Sequence, residues 1–333
     1  FFDFDTKALY TFDKDGKFAG KINRIPIDGW NRNDYYALSQ FTFNKHTNEI
    51  YVVYNDTRRS IKWLLVFNAK GETIKKINFS KTGNLFTDRF SAINSGSFLF
   101  SNNFNSPPFD KQAYFYELKD LESPGKGIMP VAPNDIFLKR NAFKGYTLSS
   151  YTGNYTVWNR KCEYSFLIFQ GNNITKYDII FPQYMVLDSS RYKDAAFFNK
   201  IETVWDYCKE NRIIEELQAI GFTGNYLAFR KLSGGSGNMG DNFILSLRTK
   251  NLYSFDKITS DEKSFFLPIG NVEIGAFENG VIYNELSSFQ LFAAAKERKD
   301  APWNNDPVLK AYFSRENRKS NPVIVALKLK DNL

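Results

Sequence analysis

The chain has 333 residues, 17% of them aromatic with 33 Phe and 19 Tyr, and its 44 Lys and Arg outnumber 36 Asp and Glu for a net charge of +8. No stretch approaches the roughly 18 apolar residues of a membrane span, and two cysteines exclude a disulfide-stapled scaffold. The positive balance permits an anionic partner, but basic runs stay as short as Arg58-Arg59, which reads as a solvated surface and gives no nucleic-acid patch.

FFDFD (Phe1 to Asp5) already reads as strand, so the sequence is expected to begin inside a domain, with a strand segment and an export signal upstream. ALYTFDKDGKFAGKI (Ala8 to Ile22) then sets the pattern, and WLLVFNAKGETIKKI (Trp63 to Ile77) repeats it, Phe12 answering to Phe67 at an offset of 55 residues. Each copy is strand, short turn, strand, with alternating apolar and polar arms. Looser copies are SFLIFQGNNITKYDI (Ser165 to Ile179) and NFILSLRTKNLYSFDKI (Asn242 to Ile258). The fourth position after the last apolar residue of the first arm is Gly16, Gly71, Asn173 or Asn251, and these residue types enter the left-handed region most cheaply. A hairpin closing on such a residue is what strand twist favours.

Between the copies lie further strands: Gln40 to Lys45, Glu49 to Asn55, Phe90 to Asn94, Ser97 to Asn102, Ala113 to Leu118, a weak one near Gly127 to Val131, Tyr146 to Tyr151 and Tyr155 to Asn159. SRYKDAAFFNKIETVWDYCKEN (Ser190 to Asn211) breaks the spacing. Its apolar Phe197, Phe198, Ile201, Val204, Trp205 and Cys208 recur at three and four, which predicts an amphipathic helix inserted near 190–211. Strands resume at Ile213 to Ile220, Tyr226 to Arg230, Asn271 to Phe277 and Gly280 to Asn284. A second helical insert spans 288–316, with Asp306 as N-cap and Pro307 at the first helical position. NPVIVALKLK (Asn321 to Lys330) is a last strand without a hairpin partner.

A repeat of this length means a stacked or circular array. Closure removes exposed sheet edges. The expectation is therefore all-β: a single domain over 1–333, a six-bladed β-propeller of four-stranded antiparallel blades, one blade being shared between the termini. Cys162 and Cys208, 46 residues apart in unlike contexts, read as two unpaired thiols.

ALYTFDKDGKFAGKI, NEIYVVYND (Asn48 to Asp56) and NPVIVALKLK resemble the NHL-like six-bladed β-propeller proteins that Gram-negative gut bacteria export, commonly as lipoproteins. Members often carry Gly-x-Gly-Pro-x-Glu-Tyr after the first hairpin. The corresponding connector here is DGWNRNDYY (Asp28 to Tyr36), where Gly29 and Tyr35 or Tyr36 match the ends and the Gly-Pro centre is missing. The resemblance implies export to the periplasm or outer membrane, with membrane association through an upstream lipid anchor, and no established activity.

In a propeller the long connectors emerge on one face, and connectors on a rigid scaffold concentrate binding groups. Candidates are Trp30, Arg32, Asp34, Tyr35 and Tyr36 from the first connector, Arg58, Arg59 and Trp63 from the next, and Arg160 and Trp303 from later ones. Aromatic faces stack on sugars or peptide side chains, and Arg offers a planar fork to carboxylates or phosphates. The competing reading is that the Trp and Tyr pack the inserts onto the ring.

Other motifs carry less. GSGNMG (Gly235 to Gly240) satisfies G-x-G-x-x-G, but a strand follows it where a dinucleotide site needs a helix. Asp13-Lys14-Asp15-Gly16 lacks the later ligands of a calcium loop. His46, the single histidine, lies in a polar turn, which leaves no multi-histidine zinc site and no Ser-His-Asp triad unless that turn enters a site. No cofactor or metal is called for. The expected function is a monomeric cell-envelope binding or scaffold protein for a glycan, peptide or protein. The alternative is a lyase or hydrolase at the axial channel, using carboxylates or a bound metal.

Overall fold

The computed structural model describes residues 2–3, 5–13, 17–30, 38, 41–56, 59–79, 86–102, 104, 112–119, 125–132, 135, 137, 146–152, 155–171, 173–194, 196–233, 241–259, 267, 274–278, 280–297, 306–320 and 322–329. Contacts divide the chain into two compact units, 1–148 with 170–173, and 149–169 with 174–333. Each consists mainly of small antiparallel sheets of the β-propeller type.

In the first unit, β1 (Phe2–Asp3), β2 (Ala8–Phe12) and β3 (Phe18–Ile22) form a three-stranded sheet. Next come β4 (Phe41–Asn44), β5 (Glu49–Asp56), β6 (Ile61–Asn68) and β7 (Thr73–Asn78), paired in that order. The third sheet is β8 (Phe86–Ala92), β9 (Ser97–Asn102), β10 (Ala113–Lys119) and β11 (Lys126–Pro130).

The second unit continues with β12 (Thr147–Thr152), β13 (Tyr155–Asn159), β14 (Ser165–Gln170) and β15 (Asn173–Asp178). A sheet of β16 (Glu216–Phe222), β17 (Tyr226–Leu232), β18 (Asn242–Ser246) and β19 (Leu252–Ser254) follows. The last sheet is β20 (Ile274–Glu278), β21 (Val281–Leu286) and β22 (Val323–Lys328).

The helical inserts fall where the periodicity puts them. The first is broken into α1 (Ser189–Lys193), a 3-10 turn over Phe197–Asn199 and α2 (Ile201–Glu210), which buries Val204 and Cys208. The second comprises α3 (Ser288–Glu297) and α4 (Pro307–Arg315). Asp306 caps α4 by accepting from the amides of Val308 and Leu309, both at 2.9 Å. Among the described residues no helix is long and apolar enough to cross a membrane, which says nothing about membrane β-barrels.

Two expectations are corrected. The expected six four-stranded blades are not seen: the structure shows five blades, and among the described residues four sheets hold four strands while the first and last hold three. A blade shared between the termini is not seen among the described residues either, where β1, β2 and β3 pair with one another and β20, β21 and β22 do the same. The left-handed hairpin position is also only partly as expected. Gly71 has φ 85°, but Asn173 lies inside β15, and Gly171 (φ 56°) and Lys250 (φ 62°) take the turn in the two later hairpins. Gly16 lies outside the described residues, as does GSGNMG.

Inner strands are buried on both faces, which is why they read as continuous apolar runs. In β5, Ile50, Val52 and Tyr54 pack with Leu9, Ile22, Ile25, Leu65 and Phe67, while Tyr51 and Val53 turn to Leu64, Val66, Phe90, Phe98 and Phe100 on the other side. In β17, Leu227 and Phe229 meet Val157, Phe166 and Leu217, while Tyr226 and Ala228 meet Ile274, Phe277 and Ile282. The aromatic excess is spent between sheets. Tyr51 of β5 meets Phe98 of β9 at 4.7 Å, and Tyr155 of β13 meets Phe222 of β16 edge-on at 4.6 Å. Such pairs add about 0.5–1.5 kcal/mol to the burial itself.

Candidate functional site

The first unit holds a cleft of about 420 Å³ where the exit of β3 faces the β6–β7 hairpin. Local sequence shapes both walls. After Ile22 the chain exposes Asn23 and Arg24, then returns Ile25 and Ile27 to the core. The amide of Ile27 bonds the carbonyl of Ile25 at 2.8 Å, and that of Trp30 bonds Ile27 at 3.0 Å across Gly29, whose φ is 73°.

On the other wall, the Asn68 side chain accepts from the amides of Lys70 at 2.9 Å and Glu72 at 3.0 Å and donates to the Glu72 carboxylate at 2.7 Å. The turn is thereby stiffened from within. It is also docked, because Thr11 Oγ1 donates to the carbonyl of Ala69 at 2.5 Å. Two glycines permit the close approach. A Cβ on Gly20 would lie 2.4 Å from the Lys70 carbonyl, and one on Gly71 would lie 2.5 Å from the Lys21 carbonyl oxygen.

Buried Ile22, Ile27 and Phe67 with half-buried Pro26 make an apolar floor, and exposed Lys21, Asn23, Arg24, Asp28 and Thr73 make the rim. Two cations thus stand against one carboxylate. Lys21 also reaches the face of Tyr10, its Nζ 5.0 Å from the ring centroid. The hydrogen bond in which the Tyr10 hydroxyl meets Thr6 Oγ1, and then the one with Lys21, hold the Tyr10 phenol below its ordinary value. A volume of this size is within the roughly 300–1,000 Å³ range of small-ligand pockets. An apolar floor under a mainly cationic rim suits a ligand with one flat or apolar face and an anionic group.

Of the residues singled out from sequence, Trp30 and Trp63 are half-buried and pack against the core of this same unit. Their Nε1 atoms are buried without a hydrogen-bond partner among the described residues. Lys76 ties them to the cleft region, its Nζ 5.3 Å from the Trp63 ring and donating to the Pro26 carbonyl at 3.3 Å. Arg59 is about half exposed and faces Asp56 at 3.7 Å. Arg160, in the second unit, is buried, with Nε and Nη2 each 2.8 Å from Glu163 Oε2. Arg32, Asp34, Tyr35, Tyr36, Arg58 and Trp303 lie outside the described residues.

Sequence reasoning missed Lys21, Arg24 and Thr73. It set the hairpins aside as structural, yet Gly71 and Thr73 of one hairpin close the cleft. The available signal was the pair of Gly-Lys and Lys-Gly steps, Gly20-Lys21 and Lys70-Gly71, whose glycines let two backbones meet beneath basic side chains.

The second unit concentrates charge differently. Lys161 bridges Glu215 at 2.6 Å and Glu216 at 3.3 Å, and Lys176 reaches Glu163 at 3.3 Å. Burial alone would depress the Lys161 ammonium, but the hydrogen bond to Glu215 and the charge of Glu216 outweigh it and hold the group above its ordinary value. Among the described residues, no three His, Cys, Asp or Glu side chains are grouped to hold a metal ion. Among the described residues, the carboxyls whose titration is clearly displaced, Asp3 and Asp188, are both displaced downward, each chiefly by a side-chain hydrogen bond, to Thr6 and to Ser190.

No family model matches the chain, and a search of curated proteins finds no match. Among solved structures, a protein of Bacteroides fragilis NCTC 9343 classed as exported is similar to this chain with a TM-score of 0.61 at 13% identity, over 97% of this chain and 85% of that one. That likeness is one of fold. An oligogalacturonate lyase in complex with manganese (TM-score 0.37, 7% identity, 88% of this chain and 65% of that one) and an exo-β-1,3-galactanase from Clostridium thermocellum (0.35, 11%, 97% and 63%) are fainter, and nothing of their chemistry is carried over.

Proposed function

We propose that this chain is an exported, cell-envelope binding protein that holds an anionic glycan or peptide against a propeller-type scaffold. The observation that carries the reading is the cleft beside β3, with Lys21 and Arg24 over a floor of Ile22, Ile27 and Phe67. An excess of positive charge over the whole chain adds to the attraction of an anion. The fold of the exported B. fragilis protein and the sequence likeness to NHL-like exported lipoproteins support the location and an upstream lipid anchor. Arg32, Asp34, Tyr35 and Tyr36 follow Trp30 in the same connector and are proposed to extend the binding surface, with Arg58, Arg59 and Trp303 as further contributors.

The test is a glycan and peptide array screen on the intact protein, followed by calorimetry on the hits at low and physiological salt. Arg24→Ala and Lys21→Ala are each expected to weaken an acidic hit about tenfold, a loss of about 1.4 kcal/mol, and added salt should weaken the parent. Failure of every acidic ligand to bind, or unchanged affinity in the double variant, would overturn the reading.

A further inference from the structure

Cys162 and Cys208 come from unlike stretches of sequence, yet the fold brings them together. Cys162 sits in the turn between β13 and β14 at φ 56°, a region that non-glycine residues seldom occupy. Its amide donates to the carbonyl of Glu215 at 2.7 Å, and its own carbonyl accepts from the Tyr192 hydroxyl at 2.6 Å. Cys208 is in the last turn of α2, and its carbonyl accepts from the amide of Ile213 at 2.8 Å. Both cysteines are thus pinned to one short stretch, Ile213 to Glu215, that leads into β16. Both are free thiols with buried side chains, as the sequence reading expected, and the Cys208 side chain is the largest influence on the Cys162 thiol.

We propose that Cys162 and Cys208 are a disulfide site, oxidised as the chain folds, tying the β13–β14 turn to the α2 insert. The two thiols give up two protons and two electrons, an Sγ–Sγ bond forms, and a disulfide-bearing oxidant is reduced to two thiols. The presence of such an oxidant rests on the export reading; the pairing itself rests on the fold. The hydrogen bond with Cys208 and burial push the Cys162 thiol up, so in the folded reduced protein Cys162 offers little thiolate for exchange, and burial covers both sulfurs. Oxidation therefore belongs to the stage before the pair is covered.

The full chain, reduced and unfolded in guanidinium, is refolded in a glutathione redox buffer, trapped with N-ethylmaleimide and digested without reduction. Mass spectrometry is expected to recover the Cys162 and Cys208 peptides as one cross-linked species, which Cys208→Ser abolishes. Protein kept folded and reduced, then given the same buffer, should cross-link at least tenfold more slowly. Maleimide on both cysteines after refolding would overturn the proposal. In the source cell, fractionation gives the second readout: a cytoplasmic, reduced protein that still bridges on refolding in vitro would leave the pairing standing and remove the export reading instead.

Discussion

Gly71 and Lys21 touch through their backbones: a Cβ on Gly71 would fall 2.5 Å from the Lys21 carbonyl oxygen and 3.3 Å from Ile22 Cγ1. The contact fixes the hairpin wall of the cleft against β3. Gly71 also has φ 85°, where any other residue is strained by about 1–2 kcal/mol. Gly71→Ala therefore combines backbone strain with a clash that no flexible side chain can relieve. We expect a loss of about 2–4 kcal/mol in urea unfolding, together with weaker binding of any ligand lodged in the cleft. Gly96→Ala, whose Cβ meets nothing within 4 Å, is the control and should stay within about 0.5 kcal/mol.

Phe229 and Phe12 are both strand aromatics, but their surroundings separate them. Phe229 is fully buried, packed on Phe166 at 5.4 Å and on Phe243 at 5.5 Å. Phe12 is 51% exposed near the end of β2, beside the still more exposed Phe18. Truncation of Phe229 to alanine should cost about 3–5 kcal/mol. Phe12→Ala should cost less than about 1 kcal/mol, and equal losses for the two would mean that the assigned faces of these strands are wrong.

Strand positions were largely legible because each inner strand announces itself as an apolar run between turn residues, as in Ile50 to Tyr54 or Ser165 to Phe169. What sequence could not supply was partnership between distant segments. Arg160 is a different case: its partner Glu163 is only three residues on, and the turn geometry that folds one onto the other was not read from the sequence. Cys162 and Cys208 are free thiols, as read, but their shared attachment to the Ile213 to Glu215 stretch was not legible because that stretch belongs to neither context. The cleft was missed for the same reason, since Gly20 and Gly71 gain their meaning only when two hairpins from different sheets are laid side by side. A shared terminal blade was expected because a strand's propensity says that it pairs and leaves open which neighbour it takes.

The Glu163 carboxylate faces both Arg160, whose side chain is 6% exposed, and Lys176, whose side chain is 47% exposed. Glu163→Gln keeps the shape and removes the charge opposite a buried guanidinium. Breaking a buried pair from one side costs about 3–5 kcal/mol, and the 17% exposure of Glu163 argues for the lower end. Lys176→Met, on the solvent side of the same carboxylate, should change stability by less than about 1 kcal/mol. Chemical denaturation of the two variants separates the inner ion pair from the outer one.

Tyr164 and Tyr192 in the second unit, with Tyr51 in the first, shape the alkaline limb of stability. The Tyr164 hydroxyl donates to the carbonyl of Ile214 at 3.0 Å and accepts from the amide of Leu187 at 2.7 Å. Burial, the largest cause for both residues, pushes both phenols well above their ordinary value of 10.0. The sign follows from which state holds the proton. Above pH 10 the unfolded chain releases these protons while the folded one keeps them, so stability that is complete below pH 10 is lost as the pH rises toward the folded values. Lys161, held above 10.5 in the fold chiefly by its hydrogen bond to Glu215 against the opposing effect of burial, adds to the same loss. Tyrosinate absorbance at 295 nm from Tyr164 and Tyr192 is expected to appear together with the loss of far-ultraviolet dichroism. Tyr164→Phe leaves the Leu187 amide and the Ile214 carbonyl without this hydroxyl, which should cost about 1–3 kcal/mol at neutral pH. It should also make the fall above pH 10 shallower by one group. Titration of every tyrosine near pH 10 with the fold intact would contradict the burial assigned to these two rings.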